Sequence, residues 1–147
     1  MKHYFLGVVL FIAACSSAQK KGAEIFQKNG VAIGGYDPVA FFTESKPVKG
    51  VAGYNLKWKD ANWHFASQAN LDSFTKSPEK YAPQYGGYCA YGTADGHKAP
   101  TETDTWTVLD GKLYFNYNQK VKGMWDKDRP KYIAHADVKW ETIKFSE

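Results

Sequence analysis

Residues 81–91 read Tyr-Ala-Pro-Gln-Tyr-Gly-Gly-Tyr-Cys-Ala-Tyr, and Cys89 is the side chain in them best suited to chemistry. The glycine pair Gly86-Gly87 just before it permits backbone conformations closed to other residues and lets another group approach closely. A helix opening at Tyr88 puts Cys89 in its first turn, where free backbone N–H groups stabilise a thiolate and lower the thiol pKa. Such a thiol serves as a soft-metal ligand or a redox nucleophile; a buried cysteine that merely packs is the plainer use of the same residue. Around it Tyr85, Tyr88 and Tyr91 are candidates to line a pocket, or to hydrogen-bond inside a polar core. Two imidazoles are candidate co-ligands. His64 follows Trp63 on an expected strand, and His97 lies in a polar loop eight residues beyond Cys89, close enough in sequence to fold back on the thiol. Cys89 with His64 and His97 would suit a soft ion, copper first, since a thiolate favours Cu(I). Asp95, Glu102 and Asp104 are further possible partners. No Cys-x-x-Cys, His-x-x-x-His or His-Glu-x-x-His spacing occurs, and neither does a nucleophile elbow, a phosphate loop or a dinucleotide fingerprint. No catalytic residue is assigned, and the sequence reads as a binding protein before an enzyme.

The elements that must position these residues are short and mixed. Asp37-Pro38 is a helix start leading into Val39-Ala40-Phe41-Phe42. Ala52 to Trp58 and Trp63 to Ala66 alternate as two strands about a polar turn, Lys59 to Asn62. Ser67 caps a helix with Leu71 and Phe74 on one face, and Ser77-Pro78 caps a short turn ending at Tyr81. Tyr88 to Asp95 reads as helical with Gly96 as its terminator. Trp106 to Leu109 and Lys112 to Tyr117 form a hairpin across Asp110-Gly111, the pair favoured in a type I′ turn. Asn118 then caps a helix with Val121, Met124 and Trp125 inward, and Pro130 restarts a last helix through Ile133 and Trp140. Hairpins interspersed with short helices make the expected class α+β, a small single domain.

The chain opens with an address. Met1-Lys2-His3 is a short basic start, Tyr4 to Ala14 an apolar run, and Cys15-Ser16-Ser17 follows. The run is short of the roughly 20 apolar residues a spanning helix needs but has the size of a signal-peptide core. A cysteine directly after Ile12-Ala13-Ala14 resembles the bacterial lipoprotein signal. That resemblance implies cleavage before Cys15, lipid on its thiol, and a bacterial envelope location, with the outer membrane favoured by Ser16. The division expected is therefore signal peptide 1–14, lipidated cysteine and tether 15–29, and domain 30–147. With Cys15 lipidated, Cys89 is the one remaining thiol of the two cysteines. A total of 147 residues, 44% hydrophobic and 16% aromatic, suffices for one core and excludes a disordered chain. Net charge is +4 but scattered, unlike the concentrated positive face of a nucleic-acid binder, so no nucleic acid is expected as partner. The partners expected are a membrane, through the anchor, with a metal ion and an envelope protein as further candidates.

Gly35-Tyr-Asp-Pro-Val-Ala-Phe-Phe-Thr43, Trp63-His-Phe-Ala-Ser67, Ser77 to Tyr91, Trp106 to Asn118 and Ile133 to Asp137 together resemble the YHS-domain family over roughly residues 30–140. The likeness is to an exported branch, the YHS domain-containing (seleno)proteins, in which the cysteine of Gly-Gly-Tyr-Cys-Ala can be selenocysteine. The resemblance implies a small metal-associated module, and a soft, polarisable atom valued at position 89. The family's usual ligands, a Phe-Cys-Ser-x-x-Cys pair, correspond here to Phe65-Ala66-Ser67-Gln68-Ala69-Asn70, which lacks both cysteines. The naming Tyr-His-Ser tripeptide is absent as well. Three functions stay open: a lipid-anchored module holding a soft metal through Cys89, a thiol-redox protein using Cys89 with an external thiol, and a non-catalytic interaction module with Cys89 buried and inert.

Overall fold

Paired positive-φ residues decide where the strands turn, and the hairpins they make bring Trp63, Phe65, Leu113 and Phe115 into the core. The computed structural model describes residues 22–147; the signal run, Cys15 and the first part of the expected tether lie outside them. β1 (Gln27–Lys28) and β2 (Val31–Ala32) pair antiparallel, and a 3₁₀ turn, Ile33–Gly35, follows. After α1 (Ala40–Thr43) comes the hairpin β3 (Val51–Trp58) and β4 (Ala61–Phe65). Lys59 and Asp60, at φ 50° and 56°, form its tight turn. The loop is thus two residues rather than the four expected, and Ala61 and Asn62 belong to the strand. The sheet order is β1-β2-β4-β3, with β2 parallel to β4.

α2 (Gln68–Lys76) starts where Ser67 accepts a hydrogen bond from the Asn70 N–H at 3.1 Å, a cap contributing about 1 kcal/mol. Ser77, expected to do the same for α3 (Pro78–Tyr81), makes no side-chain cap; Pro78 at the helix start already lacks the N–H that would need one. A second 3₁₀ turn, Gln84–Gly87, leads to α4 (Ala90–Ala94). β5 (Glu102–Leu109) and β6 (Lys112–Asn116) form the second hairpin, and Asp110 and Gly111, both at positive φ, make its turn as expected. Asn118 caps α5 (Gln119–Asp126) through the Val121 N–H at 2.9 Å. α6 (Arg129–Ile143) closes the chain, capped by Asp128. The α+β class holds. Among the described residues no helix is long and apolar enough to cross a membrane.

Two cores result. Trp63, Phe65 and Phe74 are fully buried against Trp58, with ring centroids 5.1 Å apart for Trp63–Phe74 and 5.2 Å for Phe65–Phe74. The smaller core gathers Tyr85, Ala90, Tyr114, Trp125 and Ala136 between the β5–β6 hairpin and helices α4 to α6. The chain joins the packed body before residue 30. Ile25 is buried, and the Phe26 N–H donates to the Gly86 carbonyl at 2.8 Å. Gly86 sits at φ 61°, and a Cβ there would overlap the Glu24 carbonyl. The approaching group that the glycine pair admits is therefore the chain's own N-terminal segment.

Candidate functional site

Tyr88 is extended, not helical, so α4 starts at Ala90 and Cys89 becomes its N-cap. A parallel bridge to Phe115 and the Cys89 N–H bond to the Ala99 carbonyl, at 3.0 Å, hold that residue against the second hairpin. Its side chain is 1% exposed. The sulfur accepts the Gly92 N–H at 3.4 Å and the Tyr117 N–H at 3.2 Å, and lies 3.6 Å from Asn116 Oδ1, to which the thiol donates. The orientation of that amide follows from the Tyr91 N–H, which donates to the same Oδ1 at 3.1 Å and so requires an oxygen there. Asn116 is fully buried and its Nδ2 has no protein partner among the described residues.

This arrangement favours a protonated sulfur. A neutral thiol supplies the proton Oδ1 accepts, while a thiolate would face a carbonyl oxygen with no proton between them. Burial pushes the Cys89 thiol up from its ordinary value, and the backbone N–H groups of Gly92, Tyr117 and Tyr91 offset this only in part. The expectation of a lowered pKa is corrected on that ground: the N–H groups are present, but desolvation outweighs them.

The expected co-ligands do not assemble. His64 points away from Trp63, as strand alternation requires, and is half-buried beside Gly35 and Gly50. His97 does fold back, its N–H bonded to the Gly92 carbonyl at 3.0 Å and its ring lying over Gly92. That ring is 60% exposed with Nδ1 3.7 Å from Asp95, and neither imidazole is among the hydrogen-bond partners of Sγ. Among the described residues, no three His, Cys, Asp or Glu side chains are grouped to hold a metal ion. The donor set at Cys89, two amide N–H groups and one amide carbonyl, does not fit Cu(I) or another soft ion.

The three tyrosines go to three places instead of lining one pocket. Tyr85 is 4% exposed at φ 55°, and its hydroxyl donates to Asp137 at 2.9 Å beside a cavity of about 350 Å³. Burial, then the Asp137 carboxylate, pushes that phenol far above its ordinary value. Tyr88 packs on Phe26 and Trp140 and donates to the Ala23 carbonyl at 3.0 Å. Tyr91 stacks on Tyr132, centroids 4.9 Å apart, at a shallow cavity of about 220 Å³.

A cavity of about 490 Å³ lies elsewhere, with Phe26, Ile33, Tyr36 and Phe115 among its lining residues and Lys28, Lys49, Glu102 and Asp104 adding charge. No sequence motif marks it, since its walls come from segments some seventy residues apart. Ile33-Gly34-Gly35 was the available signal, three successive positive-φ residues, one of them β-branched.

Residues 39–85 match the family model of the YHS domain. That stretch runs from the N-terminal edge of α1 to Tyr85, so Cys89 and the β5–β6 hairpin lie beyond it. No curated protein and no solved structure matches the chain.

Proposed function

We propose that the chain, whose residues 39–85 match the YHS-domain family model, is a non-catalytic binding module of the bacterial envelope. In this reading lipid on Cys15 anchors it, and Cys89 is a structural thiol. The observation that carries it is the Cys89 environment. The sulfur is buried, its hydrogen bonds are those of a neutral thiol, and among the described residues the side chain hydrogen-bonded to it is the Asn116 amide, through its carbonyl oxygen. Reactive thiols need low pKa and access, and Cys89 has neither. A soft-metal site and a redox cycle both start from a thiolate, so the environment favours the third of the functions left open by the sequence. The basic-then-apolar opening with Cys15 after Ala13-Ala14 supports the anchor.

The test is an anaerobic Cu(I) competition titration on the full chain in detergent, beside Cys89→Ser. Equal and weak retention by both proteins is expected. Tight one-to-one retention lost in the variant would sink the structural role and restore copper. The same preparation reports the anchor, since Cys15→Ser moves the protein from a detergent phase to the aqueous phase if lipid holds it.

A further inference from the structure

The cavity of about 490 Å³ stands between two walls of opposite charge. Lys28 comes from β1, and Lys49 from the segment bridged to Tyr36. Glu102 and Asp104 come from β5. The apolar surface open to the cavity is that of the half-buried Phe26 and Tyr36 rings, while Phe115 and Ile33, 1% and 2% exposed, close it from beneath. Among the described residues neither lysine forms an ion pair with either carboxylate. Among the described residues Glu102 has no side-chain hydrogen bond, Lys49 rests over the Tyr36 ring with its ammonium 4.9 Å from the centroid, and the Asp104 carboxylate takes only the Gln119 amide, at 3.3 Å. Ile33 holds φ 44° there, a conformation unfavourable for a β-branched residue and one that persists only where the surroundings impose it.

We propose that this cavity binds a small zwitterion of amino-acid size with an apolar body. Its carboxylate would meet Lys28 and Lys49, its ammonium Glu102 and Asp104, and its apolar part the Phe26 and Tyr36 rings. Two walls of opposite sign that do not pair with each other across a cleft are complementary to a ligand carrying both charges. An apolar floor with a few polar groups is the usual build of a small-molecule site. The proposal rests on the binding-module reading and supplies its ligand class.

The experiment is calorimetric titration of the full chain in detergent with L-leucine and L-phenylalanine. 4-Methylpentanoate and 3-methylbutylamine serve as single-charge analogues of leucine. Saturable one-to-one binding of at least one amino acid with a Kd below about 1 mM is expected, weakened about tenfold or more in each analogue, in Lys28→Met and in Glu102→Gln. Both substituted side chains are exposed, so circular dichroism of the variants should match the parent. No saturable binding of either amino acid, or equal binding of the single-charge analogues, overturns the proposal. Alkylation of Cys89 in the same preparation separates the two readings. An unreactive thiol with no amino-acid binding removes the ligand class alone, whereas a fast-reacting thiol removes the structural role of Cys89.

Discussion

At Cys89 the sulfur does the work that serine or threonine does at most helix starts, accepting the Gly92 N–H at the head of α4. It also accepts the Tyr117 N–H just beyond β6, so one atom ties helix to hairpin. Cys89→Ala leaves the buried Gly92 and Tyr117 N–H groups without their acceptor, while Asn116 Oδ1 keeps the Tyr91 N–H. A loss of about 2 kcal/mol in unfolding free energy is expected. Cys89→Ser keeps a donor and acceptor at the cap and should lose less than half as much, which urea unfolding of the two variants measures. A serine variant as unstable as the alanine one would show that sulfur volume, not hydrogen bonding, matters. The position was legible in the sequence, because the Gly-Gly-Tyr-Cys-Ala run marked it. Its protonation was not, since the deciding group, Asn116, is 27 residues away and its amide is oriented by Tyr91.

Among the elements, the shortest are held by the most economical device. α1 has a single turn and could not stand alone. Asp37, fully buried, accepts the Val39 and Ala40 N–H groups at 2.8 and 3.3 Å with one carboxylate oxygen. The other accepts the Ala66 N–H at 2.8 Å and the Asn70 amide at 2.7 Å. One side chain therefore starts α1 and joins it to the β4–α2 junction. Asp37→Ala orphans three backbone donors, and a cost of about 3 kcal/mol or more is expected in urea unfolding; a change under about 1 kcal/mol would contradict the staple. The local half of this device, Asp37 as a cap before Pro38, is legible in adjacent residues. The far half depends on β4 ending beside α1, a tertiary fact with no local signature. The same limit explains the other differences. Caps and type I′ turns at Ser67, Asn118 and Asp110-Gly111 are written in adjacent residues. The Lys59-Asp60 turn was drawn too long because neither residue is the glycine or asparagine that usually marks positive φ.

Across the whole molecule, the second core holds the buried phenols of Tyr85 and Tyr114, with the buried Cys89 thiol one residue before Ala90, and these groups set the response to alkali. Burial raises Tyr85 and Tyr114 above the ordinary phenol value of 10.0, and Cys89 above the ordinary thiol value of 9.0. Each holds its proton more tightly folded than unfolded. Their contribution is therefore fully present below those ordinary values and is lost as pH rises beyond them. Unfolding free energy should fall between about pH 9 and 11, approaching 1.4 kcal/mol per pH unit for each proton involved. Tyr85→Phe should flatten that fall, while stability unchanged across the range would contradict the account. The α+β class and the two hairpins were readable from alternation and turn chemistry. The pairing of two cores, and a cavity walled by β1 and β5, were not, because both arise from contacts between segments far apart in the chain.

The measurement that bears most directly on the structural role of Cys89 is its alkylation rate by iodoacetamide at pH 8, read by mass spectrometry of the Cys89 peptide. Folded full-length protein is compared with the same protein in denaturant. Buried and protonated, Cys89 should react orders of magnitude more slowly when folded. A folded-state rate equal to or faster than the denatured one would mean an accessible thiolate. That would contradict the structural role and return the site to metal or redox chemistry.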